Sequence, residues 1–477
     1  MTVLRFVDDL LAAMGRYPDV SPGHLAAFRA GLLSEDDWGL YRINPPQFAE
    51  KHGLPRSVAL DLFVLGAREG LFDLTYLEVC PWCGGITHEV AALGKIAPSH
   101  FDCQMCRVEV DAALDDNVAV AFSLSEGARK LEIDPHRDAR SYHRYHYLSA
   151  WIPGEKVQAY LGSLPMAFAR VPGRGEAVAE VELDTTGHPE LFVASFTAVR
   201  SLSMPVEPGG PLEVTVTLGG EAPVANQPAV GAGRVRVVLR STTVDEQGAL
   251  LMARDVAAIY AAVAQTPPRF GPYVTARELL SLQRFRELYR LQELPQDLKL
   301  RIKSLTLLFT DLSGSTALYE STGDVTAFDI VREHFHALTD CVRRNGGAVV
   351  KTMGDAVMAS FTRPSDAVTA ASEMLEAMAP ITERAARYGH QLGLKVGIHQ
   401  GSALVVSADE RLDYFGQSVN VAARVQGLAG PGELWLTAPV FASTAESLRG
   451  AGFSAAPRQV PLKGVDGLVD VVACARA

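Results

Sequence analysis

The stretch that decides the fold of this chain begins with Leu305-Thr306-Leu307-Leu308-Phe309 and continues as Asp311-Leu312-Ser313-Gly314-Ser315-Thr316. A short apolar run that ends at a Gly/Ser turn is typical of a buried strand. Two further strands are predicted at Ala348–Met353 and Ala356–Phe361, joined by a tight turn at Gly354-Asp355. Between the first and second strands, apolar residues recur at helical spacing and predict an amphipathic helix; they are Phe328, Val331, Phe335, Leu338 and Val342.

This strand–helix–strand unit returns the chain beside its own start, so we expect Asp311 to lie next to Asp355. Two carboxylates at strand ends suit hard divalent cations such as Mg²⁺, which prefer oxygen ligands. The turn Ser313-Gly314-Ser315 lies between a strand and the start of a helix, where backbone N–H groups and the helix dipole favour an anion. The residues therefore predict a site that combines a divalent cation with phosphate groups.

Three motifs in this order resemble the class III nucleotidyl cyclase domain. They are Phe309–Thr316, Lys351–Ala356 and the segment Asp413–Gly416 with Val419–Arg424. The resemblance covers about residues 301–477 and implies a ferredoxin-like core. The β-α-α-β-β-α-β alternation, which includes a strand at Leu394–His399, independently predicts an α+β fold with helices on a sheet.

The resemblance also implies the catalytic roles. It assigns Asp311, Asp355 and Leu312 to metal binding, with two Mg²⁺ or Mn²⁺ ions per active site, which would lower the pKa of the ribose 3′-OH. Asn420 and Arg424 lie i,i+4 on one helix face, and the family uses this pair to orient the ribose and neutralise charge on the α-phosphate. The residues expected to bind the substrate phosphates are Ser313, Gly314, Ser315, Thr316 and Lys463.

Lys351 and Asp413 match the positions that select the purine in this family. An ammonium group donates to a ring nitrogen and a carboxylate accepts from an exocyclic amino group, which complements adenine and mismatches guanine. We therefore expect ATP as the substrate, with GTP as the alternative. In the family, the metal aspartates and the base-reading residues of one site come from different subunits. Because this chain carries both sets, the resemblance implies a two-fold homodimer.

The resemblance assigns no firm catalytic role to two further residues. Arg411 has a different offset from Asp413 than the family pattern expects, so its role stays open. His399 is interpreted as a satisfied histidine at a strand end.

Four of the six cysteines form two CxxC pairs, Cys80 with Cys83 and Cys103 with Cys106. This spacing predicts a tetrahedral Cys₄ zinc site, and such a site has no open coordination position, so it is structural. His88 and His100, between the pairs, are interpreted as surface residues.

The composition describes an ordinary globular chain of 477 residues with 21% charged residues and a formal net charge of −11. The acidic balance argues against nucleic acid as a partner. No apolar run is long enough to span a membrane, and the N-terminus does not resemble a secretory signal, so we expect a cytoplasmic protein.

The pattern along the chain predicts an α+β multidomain protein in which helical, zinc-ribbon and antiparallel β regions precede the cyclase-like domain. The predicted divisions are a helical region 1–75, a zinc ribbon 76–115, a β-rich sandwich-like domain 116–245, a helical linker 246–300 and the catalytic domain 301–477. Residues 1–300 are expected to regulate the catalytic domain through a ligand or partner that the sequence does not identify.

Several alternatives remain open at this level. The predicted helices Pro45–His52 and Ser57–Gly70 form either a structural pair, which we favour, or a DNA-binding helix-turn-helix. The pattern turns helical from about Ala249 to Leu298, and its apolar stripe from Leu279 to Leu291 indicates a helix that pairs with its copy in a dimer, which we slightly favour, or packs on its own chain. An aromatic cluster, Tyr142 to Tyr147, is either a partly buried edge or a ligand pocket. A non-catalytic regulatory or binding protein is the alternative to a cyclase.

Overall fold

The computed structural model describes residues 2–97, 99–103, 106, 108–114, 116–135, 137–195, 201–220, 222–289, 300–322, 324–408, 411–465 and 467–476. Four helices open the chain: α1 (Thr2–Met14), α2 (Pro22–Ser34), α3 (Pro45–His52) and α4 (Arg56–Arg68). Phe48 of α3 and Phe63 of α4 are buried and their rings lie 5.1 Å apart. The pair is therefore held by core packing, as a structural helical pair requires.

A four-stranded sheet covers these helices. Its strands are β1 (Phe72–Val79), β2 (Ile86–Val90), β5 (Val118–Leu124) and β17 (Val274–Thr275), in the spatial order β17-β5-β1-β2. Between β2 and β5 lie β3 (His100–Cys103) and β4 (Val108–Asp111). β3 and β4 form a separate hairpin that carries the second CxxC pair. Since β5 pairs with β1 along its whole length, the predicted boundary at residue 116 cuts across a sheet.

Two packed sheets follow, with orders β13-β10-β9-β15-β7 and β12-β11-β14-β8. The elements outside these two sheets are α5 (Ala139–His146), β6 (Trp151–Ile152) and α6 (Glu155–Ser163). The strands of the two sheets are β7 (Met166–Val171), β8 (Glu176–Leu183), β9 (Glu190–Ser195), β10 (Leu202–Glu207), β11 (Glu213–Leu218), β12 (Val224–Ala225), β13 (Val230–Gly231), β14 (Gly233–Ser241) and β15 (Gln247–Arg254). Alternating apolar residues of both sheets share one core. This arrangement is a sandwich, as predicted, but it is not wholly antiparallel, because β10 pairs with β13 and β11 pairs with β14 in parallel.

The helical interpretation of Ala249–Leu298 is wrong for its first part. β15 lies between β9 and β7, and all eight of its residues are buried. A strand buried on both faces has no alternation, so its continuous apolar run could not be told from a helix by periodicity.

The predicted long stripe is also not one helix. The elements after β15 are α7 (Val256–Gln265), β16 (Arg269–Phe270), β17 (Val274–Thr275), α8 (Ala276–Leu280) and α9 (Gln283–Leu288). Leu279, Leu280 and Phe285 are at most 1% exposed in the core of their own chain. The dimer-helix interpretation is therefore wrong for these residues, while Leu291 lies outside the described residues.

The C-terminal domain is an eight-stranded sheet in the order β19-β20-β18-β21-β23-β25-β24, with β22 paired to β21. Its elements are β18 (Leu300–Ser313), α10 (Ser315–Thr322), α11 (Asp324–Arg344), β19 (Ala348–Met353), β20 (Ala356–Phe361), α12 (Pro364–Ala386), β21 (Gly393–Ala408), β22 (Arg411–Phe415), α13 (Gln417–Leu428), β23 (Leu434–Thr437), α14 (Ala438–Gly450), β24 (Phe453–Pro461) and β25 (Leu468–Arg476). The predicted fold class, α+β with a cyclase-like C-terminal domain, is confirmed.

Alternate side chains of β18 enter two different cores. Leu308 and Leu312 pack with α11, α12 and α14 on one face of the sheet. Leu305, Leu307 and Phe309 face the other side and join the core built by the N-terminal helices and the first sheet. This double burial explains why the strand that decides the fold is a nearly continuous apolar run.

One residue of the apolar stripe predicted for α11 does not face the core. Phe328 of α11 is 58% exposed, whereas Val331, Leu338 and Val342 are buried as expected.

Every helix among the described residues is too short or too polar to cross a membrane.

Candidate active site

The two predicted metal aspartates lie at the same edge of the sheet. β18 and β20 are antiparallel, with Phe309 opposite Met358, so the register carries Asp311 towards the turn that holds Asp355. Asp311 also lies directly across from Lys395 of β21, and Lys395 Nζ is 3.3 Å from Asp311 Oδ2. The carboxylate at this edge is therefore already oriented towards a positive charge.

The turn that carries Asp355 is supported from the helical face. His334 of α11 is fully buried, and its Nε2 lies 3.2 Å from the Asp355 carbonyl oxygen. Its Nδ1 faces the Met378 sulfur at 3.3 Å. Burial lowers the pKa of His334, so the imidazole is neutral and can donate one hydrogen bond to the turn.

The predicted phosphate loop follows directly after Asp311. Gly314 adopts φ +88°, a conformation that favours glycine, and a Cβ there would overlap the Gln391 carbonyl oxygen. Ser313 Oγ donates to the Gly393 carbonyl oxygen at 2.9 Å, and α10 begins at Ser315. The Leu312 side chain is 2% exposed within the core, so only its main chain is able to meet a metal ion.

Lys351 and Asp413 form a direct ion pair although they lie on different strands. Lys351 Nζ is 2.6 Å from Asp413 Oδ2, and the side chains are 40% and 16% exposed. Asp413 Oδ1 accepts a hydrogen bond from the backbone N–H of Tyr414 at 2.8 Å, which fixes the carboxylate. The structure thus brings together the two residues that the resemblance assigns to the purine.

Asn420 and Arg424 lie on α13, which crosses β21 at close range. A Cβ on Gly397 of β21 would overlap the backbone of Gln426, so the crossing requires glycine at that position. Asn420 is exposed and Arg424 half-buried. The Arg424 Nη atoms lie 3.5 Å from the place of a Cβ on Gly464, which puts this guanidinium beside the exposed Lys463.

The structure shows the surroundings of Arg411 and His399, the two residues without a firm role. Arg411 is exposed on β22 and lines a cavity together with Lys351, one of the two residues predicted to read the base. His399 Nδ1 is 3.1 Å from Thr437 Oγ1, and burial lowers the pKa of His399 to about 4. A neutral, hydrogen-bonded imidazole agrees with its interpretation as a satisfied histidine, but the predicted strand end is wrong, because His399 lies in the middle of β21, which continues to Ala408.

The four predicted zinc ligands converge. The Sγ atoms of Cys80, Cys83, Cys103 and Cys106 all lie within 4.8 Å of one another, and those of Cys83 and Cys103 are 3.6 Å apart. Tetrahedral zinc with Zn–S bonds of 2.3 Å spaces its sulfurs by about 3.8 Å, so the cluster fits this ion.

The aromatic cluster is part of α5 and borders a cavity. Tyr142 is 7% exposed and packs on Phe168, whereas His143 and Tyr147 line a cavity of about 400 Å³. A second cavity, of about 410 Å³, lies beside the cysteine cluster and is lined by Cys83, Trp82 and Trp151 among others. The cluster is thus both a buried edge and part of a cavity wall.

Sequence reasoning missed Lys395 and His334. A lysine within the apolar strand Leu394–His399, and a histidine within the apolar face of α11, were the available signals. Their partners could not be inferred from spacing, because strand register and helix packing decide them.

Comparison with known proteins agrees with this geometry. Residues 299–470 match the family model described as adenylate and guanylate cyclase catalytic domain. Residues 24–206 match a family of unknown function, DUF5939.

The matching relatives are similar over only part of their length. An uncharacterized protein of Mycobacterium tuberculosis is 36% identical over 126 residues, which cover 26% of this chain and 30% of that protein. Adenylate cyclase 2 of Rhizobium meliloti is 33% identical over 132 residues, which cover 25% of this chain and 36% of the relative. The crystal structure of the adenylyl cyclase CyaB from P. aeruginosa aligns with a TM-score of 0.34 and 25% identity over 38% of this chain and 96% of that chain.

The chain thus spans about a third of the length of these curated relatives. The residues that the family model matches include all three motifs. The chain therefore carries a class III adenylate and guanylate cyclase catalytic domain.

Proposed function

We propose that this protein is an adenylate cyclase, which converts ATP to 3′,5′-cyclic AMP and pyrophosphate and is regulated by residues 1–300. The observation that carries the proposal is the ion pair of Lys351 and Asp413, with 2.6 Å between Nζ and Oδ2. The pair presents a donor and an acceptor side by side. Adenine offers the complementary acceptor at N1 and donor at its 6-amino group, whereas guanine would leave both side chains mismatched.

The other end of the site suits a metal-bound triphosphate. Asp311, Asp355 and the main chain of Leu312 supply the hard oxygen ligands that Mg²⁺ and Mn²⁺ prefer, and Lys395 shows that Asp311 accepts a cationic neighbour. Bound there, two divalent ions would activate the ribose 3′-OH and neutralise the triphosphate. The Ser313–Thr316 loop and Lys463 then hold the phosphates.

Asn420 and Arg424 complete the proposed site. Asn420 is exposed on α13 and orients the ribose, while Arg424 presents a permanently charged, planar group to the α-phosphate. Because the charge on the α-phosphate grows during attack by the 3′ oxygen, a fixed guanidinium stabilises the transition state more than the ground state.

We propose further that the working enzyme is a homodimer with two equivalent sites. The base-reading pair and the metal aspartates belong to one chain, and in the family each site draws on two subunits. A two-fold interface therefore uses both sets at once. Specific activity should rise with protein concentration until the dimer is saturated.

The direct test is an assay of purified protein with ATP and Mg²⁺ or Mn²⁺, in which cyclic AMP and pyrophosphate are separated and quantified. Asp355→Ala should abolish product formation, whereas Asp340→Ala, an exposed carboxylate on α11, should leave it unchanged. Full activity of Asp355→Ala, or of a strictly monomeric protein, would contradict the proposal.

A guanylate cyclase is the second candidate, because the catalytic domain family includes both specificities. Comparing all four nucleoside triphosphates separates the two. Lys351→Glu combined with Asp413→Cys should move activity from ATP towards GTP, since the glutamate accepts from guanine N–H groups. A wild-type preference for GTP would favour the second candidate.

A further inference from the structure

We propose that Gln283 and Arg286, which lie upstream of the catalytic domain on α9, are positioning residues for purine selection. The inference rests on the proposed function and goes beyond it, because neither residue belongs to the cyclase motifs. Each side chain bonds to the main chain next to one member of the base-reading pair. Gln283 bonds to Val349, two residues before Lys351, and Arg286 bonds to Leu412, the residue before Asp413.

The contact of Gln283 falls on an irregularity of β19. Val349 pairs with Ala359 and Lys351 pairs with Met358, so Val350 is an extra residue that forms a bulge. A bulge re-aims the side chains that follow it, because a shift of one residue moves each side chain to the other face. Gln283 Oε1 accepts the Val349 N–H at 2.8 Å and thereby fixes the bulge that directs Lys351.

The Gln283 amide is itself held in place. The residue is 7% exposed, and its Nε2 donates to Glu287 Oε1 at 2.8 Å one helical turn later. A buried amide with both ends bonded has one preferred orientation, so it presents a fixed acceptor to β19.

Arg286 fixes the second strand in a similar way. Its Nη1 donates to the Leu412 carbonyl oxygen at 2.9 Å, and its Nε donates to the Leu280 carbonyl oxygen at 2.8 Å. The guanidinium carbon lies 4.9 Å from the centre of the Tyr414 ring. Leu412 and Tyr414 flank Asp413, so Arg286 contacts the residues on both sides of the carboxylate that reads the base.

Among the described residues, β19 and β22 do not pair with each other. They belong to the same sheet, but β20, β18 and β21 lie between them. A cavity of about 240 Å³ lies between α9 and the two strands, lined by Gln283, Arg286, Lys351 and Arg411 among others. Because α9 bonds to both strands, it adds a second connection beside the Lys351–Asp413 ion pair and supports the position of each side chain.

The test measures kcat and KM for ATP and GTP in Gln283→Met, Arg286→Met and Arg286→Lys. Methionine keeps the length and the apolar contacts but cannot make either hydrogen bond. Each methionine variant should lower the ratio of kcat/KM for ATP to that for GTP about fivefold, which corresponds to about 1 kcal/mol. Most of the change should appear in KM for ATP, because the metal and phosphate residues are untouched. Arg286→Lys should lie between wild type and Arg286→Met.

Arg284→Lys is the matched control on the same helix, because Arg284 pairs with Asp19 and not with the base-reading strands. It should leave the nucleotide ratio unchanged, and circular dichroism should show that all variants are folded. An unchanged ratio in folded Gln283→Met and Arg286→Met, or an equal change in Arg284→Lys, would overturn the inference while wild-type cyclic AMP synthesis upholds the proposed function. A wild-type protein that forms no cyclic nucleotide would overturn both.

Discussion

Asp61, a largely buried carboxyl group on α4, contributes to the pH dependence of this protein's stability. Burial raises the pKa of Asp61 to about 6, although Arg284 and Arg343 act in the opposite direction and Asp19 and Glu287 reinforce the rise. A carboxyl whose pKa is higher in the folded than in the unfolded state stabilises the fold below about pH 4 and loses this contribution as the pH rises through about 6.

Asp61→Asn should therefore stabilise the protein at pH 7.5 by about 2–3 kcal/mol, the value of a shift of two pKa units, and have little effect at pH 4. Urea unfolding at both pH values measures the difference. Asp73→Asn, an exposed residue on β1, is the control and should change stability little at either pH. An equal effect of Asp61→Asn at both values would contradict the explanation.

At the residue scale, the candidate site could be assembled from motifs because its members lie in short ordered segments. Asp311, Asp355, Lys351 and Asp413 are all brought into the expected surroundings, although their catalytic roles remain predictions. Lys395 could not be found in this way. It meets Asp311 only because β21 aligns with β18 in one particular register.

At the scale of the secondary-structure elements, α13 packs so closely on β21 that the contact requires a glycine, and this contact gives the next prediction. Gly397→Ala would force α13 away from β21, since the new Cβ overlaps the Gln426 backbone. We expect a loss of about 1–3 kcal/mol in stability and a larger loss of kcat, because Asn420 and Arg424 move with the helix.

The control lies on the helix itself. A Cβ on Gly427 meets nothing within 4 Å, so Gly427→Ala should be neutral or stabilising by about 0.5–1 kcal/mol. Thermal melts and turnover of both variants test the pair. Equal behaviour of the two alanine variants would show that the close crossing does not matter.

The β3–β4 hairpin provides a prediction about metal. The purified protein should contain one zinc ion per chain, and Cys103→Ser should lose it because one of the four converging sulfurs is removed. Metal analysis and a melt with and without a chelator measure both effects. Cys341→Ser, a buried cysteine in the core of the catalytic domain, should keep its zinc. Full zinc content in Cys103→Ser would rule out the four-sulfur site.

Elements with clear periodicity were predicted well, and elements buried on all sides were not. The bounds Ala348–Met353, Ala356–Phe361 and Pro45–His52 agree with the structure. β15 was mistaken for a helix because both of its faces are covered, and α8 and α9 were mistaken for one long helix because their apolar residues meet a core contributed by distant segments. Periodicity records which side of an element faces water, so it says little where neither side does.

At the scale of the whole molecule, the N-terminal region and the C-terminal domain share one hydrophobic core. The face of β18 that carries Leu300, Ile302, Leu305, Leu307 and Phe309 is buried against the N-terminal helices and the first sheet. A fragment of residues 300–477 would expose this face to water, and exposed apolar patches of this kind drive association.

We therefore expect the fragment to aggregate or to form larger assemblies than the intact chain, and to bind an apolar dye more strongly. Size-exclusion chromatography with light scattering compares the two. A fragment of the same length with Leu305→Lys and Leu307→Lys should be more soluble, because the lysines interrupt the patch. A monodisperse wild-type fragment that melts like the full chain would show that the shared core contributes little.

The cavity beside the cysteine cluster can be followed by intrinsic tryptophan fluorescence. Two of its four tryptophans, Trp82 and Trp151, line that cavity, and the other two are Trp38 and Trp435. Replacing Trp38 and Trp435 by phenylalanine would confine the indole emission to the cavity wall. Changes in wavelength or quenching would then report on this one region of the amino-terminal half, without any attached label.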